Sequence, residues 1–172
     1  STAGILSYKY RLVEQIEHAD RPKTHKIKVI PRNTATSTLE GYIWVQDSTW
    51  LIEKLDFTLV KGNLYIYDYF QVIQTFDITA DTLCLLQFQE MNYGVKYKSQ
   101  SSTCKTIVNY KNYDFNPKFP AKYFGNEVAV TTKDAYERDT NYWSQNRMSP
   151  LSEEEMAYIK KRDSLENIFT KT

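Results

Sequence analysis

The chain has 172 residues, 41% hydrophobic and 15% aromatic, with 22 Lys and Arg against 21 Asp and Glu. That length suits one core domain with an appendage, and the net charge of +1 lacks the basic excess of a polyanion binder, so no nucleic-acid partner is expected. No stretch approaches the roughly 20 apolar residues of a membrane-spanning helix, and 14 Tyr, 8 Phe and 3 Trp beside 5 Gly favour strands over disorder.

Seven strands are predicted, at Leu6–Glu17, Thr24–Ile30, Thr38–Gln46, Trp50–Leu59, Asn63–Phe76, Thr82–Met91 and Lys96–Tyr110. The first starts almost at the chain's beginning with no signal peptide before it, which reads as a domain cut from a longer polypeptide. Turn chemistry separates the strands: His18 to Pro22, Pro31 to Ser37, Asp47-Ser48-Thr49, Lys61-Gly62-Asn63 and Asn92-Tyr93-Gly94. Consecutive strands with short loops predict a mainly β fold, a curved antiparallel meander resembling a half-barrel, over residues 1–117. The lysines between Lys23 and Lys28 alternate with Ile27 and Val29 as the wet side of a strand does.

Two strands carry large apolar groups on both faces. Leu39, Ile43 and Val45 oppose Tyr42 and Trp44; Leu64, Ile66, Phe70, Val72 and Phe76 oppose Tyr65, Tyr67 and Tyr69. A strand with one solvated face alternates apolar and polar residues. Here both faces call for cover, from a second layer or from a sheet curled round a cavity.

Residues 118–172 change character. Lys118 to Asn126 has no period and reads as an extended segment crossing the sheet. Asp134 to Asn146 suits a short helix with Tyr136 and Trp143 on one face. A C-terminal α-helix follows: Ser149-Pro150 offers an N-cap with Pro at the first helical position, and Ser152 and Glu155 fit a capping box one turn later. Glu153, Glu154 and Glu155 suit the positive end of its dipole. Its apolar stripe is ragged, so it docks weakly or bridges to another part of the protein. No internal repeat or low-complexity tract is visible.

Little in the chain suggests chemistry. Phosphate-binding glycine loops and nucleophile elbows are missing, and the carboxylates form no pattern, so a non-enzyme without cofactor or metal is expected. A hairpin turning around Gly94 would set Cys84 opposite Cys104, within reach of a disulfide; two buried free thiols are the leading reading. His18 and His25 flank the first hairpin, where a surface metal or an acid–base pair competes with plain strand-end histidines, the favoured reading. The face of Tyr42, Trp44, Tyr65, Tyr67 and Tyr69 is the candidate ligand-binding groove, since Tyr and Trp line apolar and sugar-binding clefts. The competing reading is core packing beneath Phe119, Tyr123, Phe124, Tyr136, Tyr142 and Trp143.

Several segments together resemble a known family. Leu39-Glu40-Gly41-Tyr42-Ile43-Trp44-Val45 runs into Asp47-Ser48-Thr49-Trp50, and Gln74-Thr75-Phe76 stands near a Gln-x-Tyr. Later come Asp139-Thr140-Asn141-Tyr142-Trp143, Arg147 and Pro150-Leu151-Ser152-Glu153-Glu154-Glu155. The series is similar to large Bacteroidota outer-membrane proteins that are carboxypeptidase-regulatory-like and carry a region of unknown function before a C-terminal β-barrel. Phe76 and Met148 depart from the pattern. The resemblance implies a periplasmic module at the outer membrane, between an N-terminal sandwich and a membrane barrel. Its partners would be the other domains of the same polypeptide. By architecture the sheet is also similar to lipoprotein-carrier-like half-barrels, which hold acyl chains. The expected function is therefore non-enzymatic binding or scaffolding, with an apolar groove for lipid or another hydrophobic ligand. A purely structural connector is the alternative.

Overall fold

The computed structural model describes residues 5–33, 38–59, 64, 67–79, 83–125, 138–147 and 149–169. Seven strands form one sheet in chain order: β1 (Tyr8–Ile16), β2 (Thr24–Pro31), β3 (Leu39–Gln46), β4 (Ile52–Leu59), β5 (Tyr67–Thr79), β6 (Leu83–Tyr97) and β7 (Gln100–Asn109). Every neighbouring pair is antiparallel, and the sheet is open, with β1 and β7 as its edges. The mainly β meander expected from alternation and turn residues is the fold. Two helices follow, α1 (Thr140–Asn146) and α2 (Glu153–Phe169). The chain divides into two compact units, Ser1–Phe115 and Asn116–Thr172.

Register assigns each side chain to a face, because directly paired residues of antiparallel strands point the same way. One row runs Tyr10, Val29, Gly41, Phe57, Val72, Met91, Thr106 across all seven strands. With Ile27, Ile43, Leu55 and Phe70 from neighbouring rows, it makes an apolar first face. The opposite face carries the row Arg11, Lys28, Tyr42, Asp56, Ile73, Glu90, Ile107 and the row Lys26, Trp44, Lys54, Thr75, Phe88. Bulges interrupt the ladders at Leu12/Glu14, Trp44/Val45, Tyr67/Tyr69 and Thr75/Phe76. An extra residue at each locally increases strand twist and re-aims the side chains beside it.

The core is thin. Among the described residues Val29, 4% exposed, and Pro31 are the apolar side chains that are buried, both on β2. Ile43, Phe57, Phe70, Val72 and Met91 on the first face are half-buried, and Tyr10 at its β1 edge is exposed. On the second face the rings have cover of another kind. Lys26 Nζ stands 5.0 Å from the Tyr42 ring centre and 5.2 Å from Trp44, and Lys54 Nζ stands 4.9 Å from Trp44. The ammonium groups of lysines on the flanking strands thus sit over the rings. Within the sheet itself, the cover that the composition of β3 called for is supplied in part by these lysines.

One turn differs from the sequence reading. Asn92-Tyr93-Gly94 lies inside β6, and the β6–β7 hairpin turns at Lys98-Ser99, between the paired Tyr97 and Gln100. Lys98 takes the left-handed conformation (φ 56°) that the turn needs. Gly94 serves packing instead. It pairs with Tyr69, and a β-carbon built on it would stand 2.6 Å from Tyr69 Cε1. The β3–β4 turn falls where expected, with Ser48 at φ 70° and Trp50 at φ 58°.

In the second unit Asp139 caps α1 by accepting the Tyr142 N–H at 2.7 Å. α2 starts at the capping box and not at Ser149-Pro150. Ser152 N–H donates to Glu155 Oε2 at 2.8 Å and Glu155 N–H donates to Ser152 Oγ at 3.2 Å, so Pro150 precedes the helix. Met156, Leu165 and Ile168 on α2 are exposed. Tyr136 lies outside the described residues.

Candidate functional site

The five candidate aromatic residues do not share one lining. Tyr42 and Trp44 on β3 and Tyr69 on β5 lie on the second face. Tyr67 lies on the first, because the Tyr67/Tyr69 bulge takes Asp68 out of the ladder and shifts the alternation by one. There Tyr67 packs 5.3 Å from Phe70 and 5.4 Å from Tyr93, while Phe70 and Tyr93 stack at 5.8 Å. Tyr65 lies outside the described residues.

Between Tyr42 and Tyr69 runs a cleft of about 540 Å³. Its floor is β4, whose Asp56 and Thr58 are shorter than the tyrosines on the flanking strands. Lys28, Glu40, Asp68 and Gln71 also line it. A cross-strand polar ladder fixes one wall: Gln71 Nε2 donates to Asp56 Oδ1 at 2.7 Å, and Asn92 Nδ2 donates to Gln71 Oε1 at 3.5 Å and to Glu90 Oε1 at 2.7 Å. Lys28 Nζ lies 3.8 Å from Glu40. The cleft is therefore polar and aromatic, whereas the broad apolar surface lies on the opposite face of the same sheet.

A second polar cluster closes one end of the sheet. The Thr24 hydroxyl, 1% exposed, donates to Glu53 Oε2 at 2.8 Å, and Arg21 pairs with the same carboxylate. With its proton committed, Thr24 Oγ1 accepts from His18 Nε2 at 2.9 Å, which assigns the tautomer by elimination. A hydroxyl so enclosed braces the hairpin and has no room for a substrate. His25 turns elsewhere: its Nε2 contacts Asp47 Oδ1 at 3.1 Å and its Nδ1 lies 3.4 Å from Gln15 Nε2. The His25 hydrogen bond is the main cause holding the Asp47 carboxyl below its usual pKa. The two histidines thus serve separate partners, and among the described residues no group of three His, Cys, Asp or Glu could hold a metal. The sequence signal for Glu53 is weak, since it is the residue that the Trp44/Val45 register shift leaves out of the ladder.

Both cysteines are free. Cys84 pairs with Ile78 on β5 and Cys104 with Tyr93 on β6, so the turn at Lys98-Ser99 separates the thiols that a turn at Gly94 would have joined. Neither is fully buried: Cys84 is half-buried and Cys104 exposed. Burial pushes the Cys84 thiol pKa up, and the thiol donates to the Ile52 carbonyl at 3.1 Å.

Among the described residues no helix is long and apolar enough to cross a membrane. No curated protein and no solved structure matches the chain. One family model does match, over residues 1–113, which takes in all seven strands. The chain therefore belongs to the family of unknown function DUF5686.

Proposed function

We propose that this protein is a non-enzymatic binding or scaffolding module whose working surface is the first face of the sheet. The observation that carries the reading is an apolar face running across seven strands on which, among the described residues, Val29 and Pro31 alone are buried. Full burial of a Val, Leu, Ile, Phe or Met side chain stabilises by roughly 1.5–3 kcal/mol. The seven half-covered side chains Ile27, Ile43, Leu55, Phe57, Phe70, Val72 and Met91 would then gain on the order of 5–10 kcal/mol from a cover. A lipid or another hydrophobic ligand supplies one. The sequence resemblance supports a setting on the periplasmic face of an outer membrane, beside the other domains of its polypeptide, where an acyl-bearing ligand is plentiful.

Native mass spectrometry of the purified chain, followed by solvent extraction and lipid analysis, tests the reading. A co-purifying lipid or fatty acid supports it. A ligand-free chain whose first face is already protected from hydrogen exchange favours the second reading, a structural connector. The division into two compact units, with the family match ending at residue 113, speaks for that alternative.

A further inference from the structure

Asp68 and Tyr69 are neighbours in sequence, yet both line the cleft on the second face of the sheet. A regular strand forbids this, because successive side chains point to opposite faces. The Tyr67/Tyr69 bulge permits it by taking Asp68 out of the ladder, and a bulge re-aims the side chain it carries. The Tyr69 ring is held in turn by β6. It lies against Gly94, where any β-carbon would collide with it, and it is still 38% exposed. The sheet thus sets a carboxylate beside an aromatic ring that has a fixed seat and an open surface.

These groups have no work in the fold. Among the described residues the side chains of Asp68 and Thr58 have no hydrogen-bond or ion-pair partner, and the Tyr69 ring has no aromatic or cationic neighbour. The other charged groups of the cleft are engaged: Asp56 accepts from Gln71 at 2.7 Å, and Lys28 stands 3.8 Å from Glu40. The space they surround, about 540 Å³, falls in the range of roughly 300–1,000 Å³ typical of small-molecule sites.

We propose that this cleft binds a neutral oligosaccharide, with one sugar ring stacked on Tyr69 and its hydroxyls reaching Asp68 and Thr58. A sugar presents an apolar C–H face beside hydroxyls that both donate and accept. The C–H face suits the ring of Tyr69, and the Asp68 carboxylate accepts from hydroxyls in charge-assisted bonds. Other ligand classes fit the cleft less well. An anion would meet three carboxylates. A hydrocarbon would take those carboxylates out of water without a partner. A cation would compete with Lys28, which already stands beside Glu40. Tyr42 and Tyr69 lie two strands and four residues apart along the register. At ordinary sheet spacings their α-carbons are roughly 16 Å apart, which leaves room for more than one sugar unit. The proposal is independent of what covers the first face.

The test places the full chain on a glycan array of α- and β-linked oligosaccharides of neutral hexoses and N-acetylhexosamines. The best-bound glycan is then titrated in solution. Binding should persist in about 0.5 M sodium chloride, where exposed charge pairs are screened. Asp68→Asn should weaken it by about tenfold or more, the scale of a lost charge-assisted hydrogen bond. Tyr69→Ala should weaken it by about tenfold, and Tyr69→Phe, which restores the ring, should recover it. Gly94→Ala should weaken it too, by pushing the Tyr69 ring aside from outside the cleft. Tyr158→Ala, which removes an exposed tyrosine of α2, should bind as the parent does. Circular dichroism checks that each variant keeps its sheet. An array with no bound glycan, binding abolished by salt as for a cation, or one affinity shared by Tyr69→Ala and Tyr158→Ala overturns the proposal.

Discussion

Gly41 is the position where a single added carbon should cost the sheet most. It lies in β3 between Val29 on β2 and Phe57 on β4, and its φ is not positive, so space and not backbone freedom requires glycine. A β-carbon there would overlap the Asp56 carbonyl oxygen and stand 2.9 Å from Asp56 C and Phe57 Cα. All three atoms belong to the β4 backbone and cannot rotate away. Restoring ordinary contacts of roughly 3.5 Å moves β4 outward by several tenths of an ångström or more. Overpacking of this kind costs roughly 1–3 kcal/mol. Two weakened ladder bonds, each contributing about 0.5–1.5 kcal/mol, bring the loss for Gly41→Ala to about 2–6 kcal/mol. At a urea m-value of roughly 1–3 kcal/mol/M, the unfolding midpoint falls by on the order of 1–3 M. Gly94→Ala is the internal contrast. Its added carbon meets only the ring of Tyr69, a partly exposed side chain able to swing aside. It should cost under about 1 kcal/mol, and that cost should vanish in a Tyr69→Ala background. A Gly41→Ala midpoint equal to that of the parent or of Gly94→Ala would falsify the close approach of β3 and β4.

Three further outcomes follow from the polar groups. Thr24→Val keeps the shape but leaves Glu53 and His18 without their shared hydroxyl, and chemical denaturation should show a loss of about 1–3 kcal/mol. The Asp47 carboxyl has a folded pKa below its unfolded value of 3.8. Its interaction therefore stabilises fully above that value and is lost as pH falls through the folded pKa; the midpoint difference between the parent and Asp47→Asn should be constant near neutrality and close in acid. Iodoacetamide at mildly alkaline pH should modify exposed Cys104 well before Cys84, whose thiol is half-buried and raised in pKa, and thiol titration in denaturant should find both groups free after air exposure.

Strand number, order and direction were legible because period-two alternation and turn residues repeat along residues 6–110. The division of side chains between faces was less so. A bulge adds one residue without changing composition, and the one at Tyr67/Tyr69 moved Tyr67 from the expected groove to the opposite face. Gly94 read as a turn because glycine usually marks one; its actual reason, the Tyr69 ring across the ladder, is a long-range contact with no local signal. The lysine cover of Tyr42 and Trp44 had a signal, since Lys26 and Lys28 alternate with the apolar residues of β2, but only the pairing of β2 with β3 aims them at the rings. Tyr42 and Tyr69 were found for the cleft; Asp56 and Gln71 look like any surface polar residues until β4 and β5 pair.

The most direct test of the working face is a titration with the fluorescent fatty acid cis-parinaric acid, read in parallel on the parent, Val72→Lys and Thr58→Lys. Val72 lies mid-row on the first face and Thr58 is exposed on the second. Circular dichroism confirms that each variant keeps its sheet. The expected result is saturable binding by the parent and by Thr58→Lys, with affinity lowered about tenfold or more in Val72→Lys, where a charge would meet hydrocarbon. Absence of saturable binding, or one affinity shared by all three proteins, contradicts a hydrophobic ligand on that face.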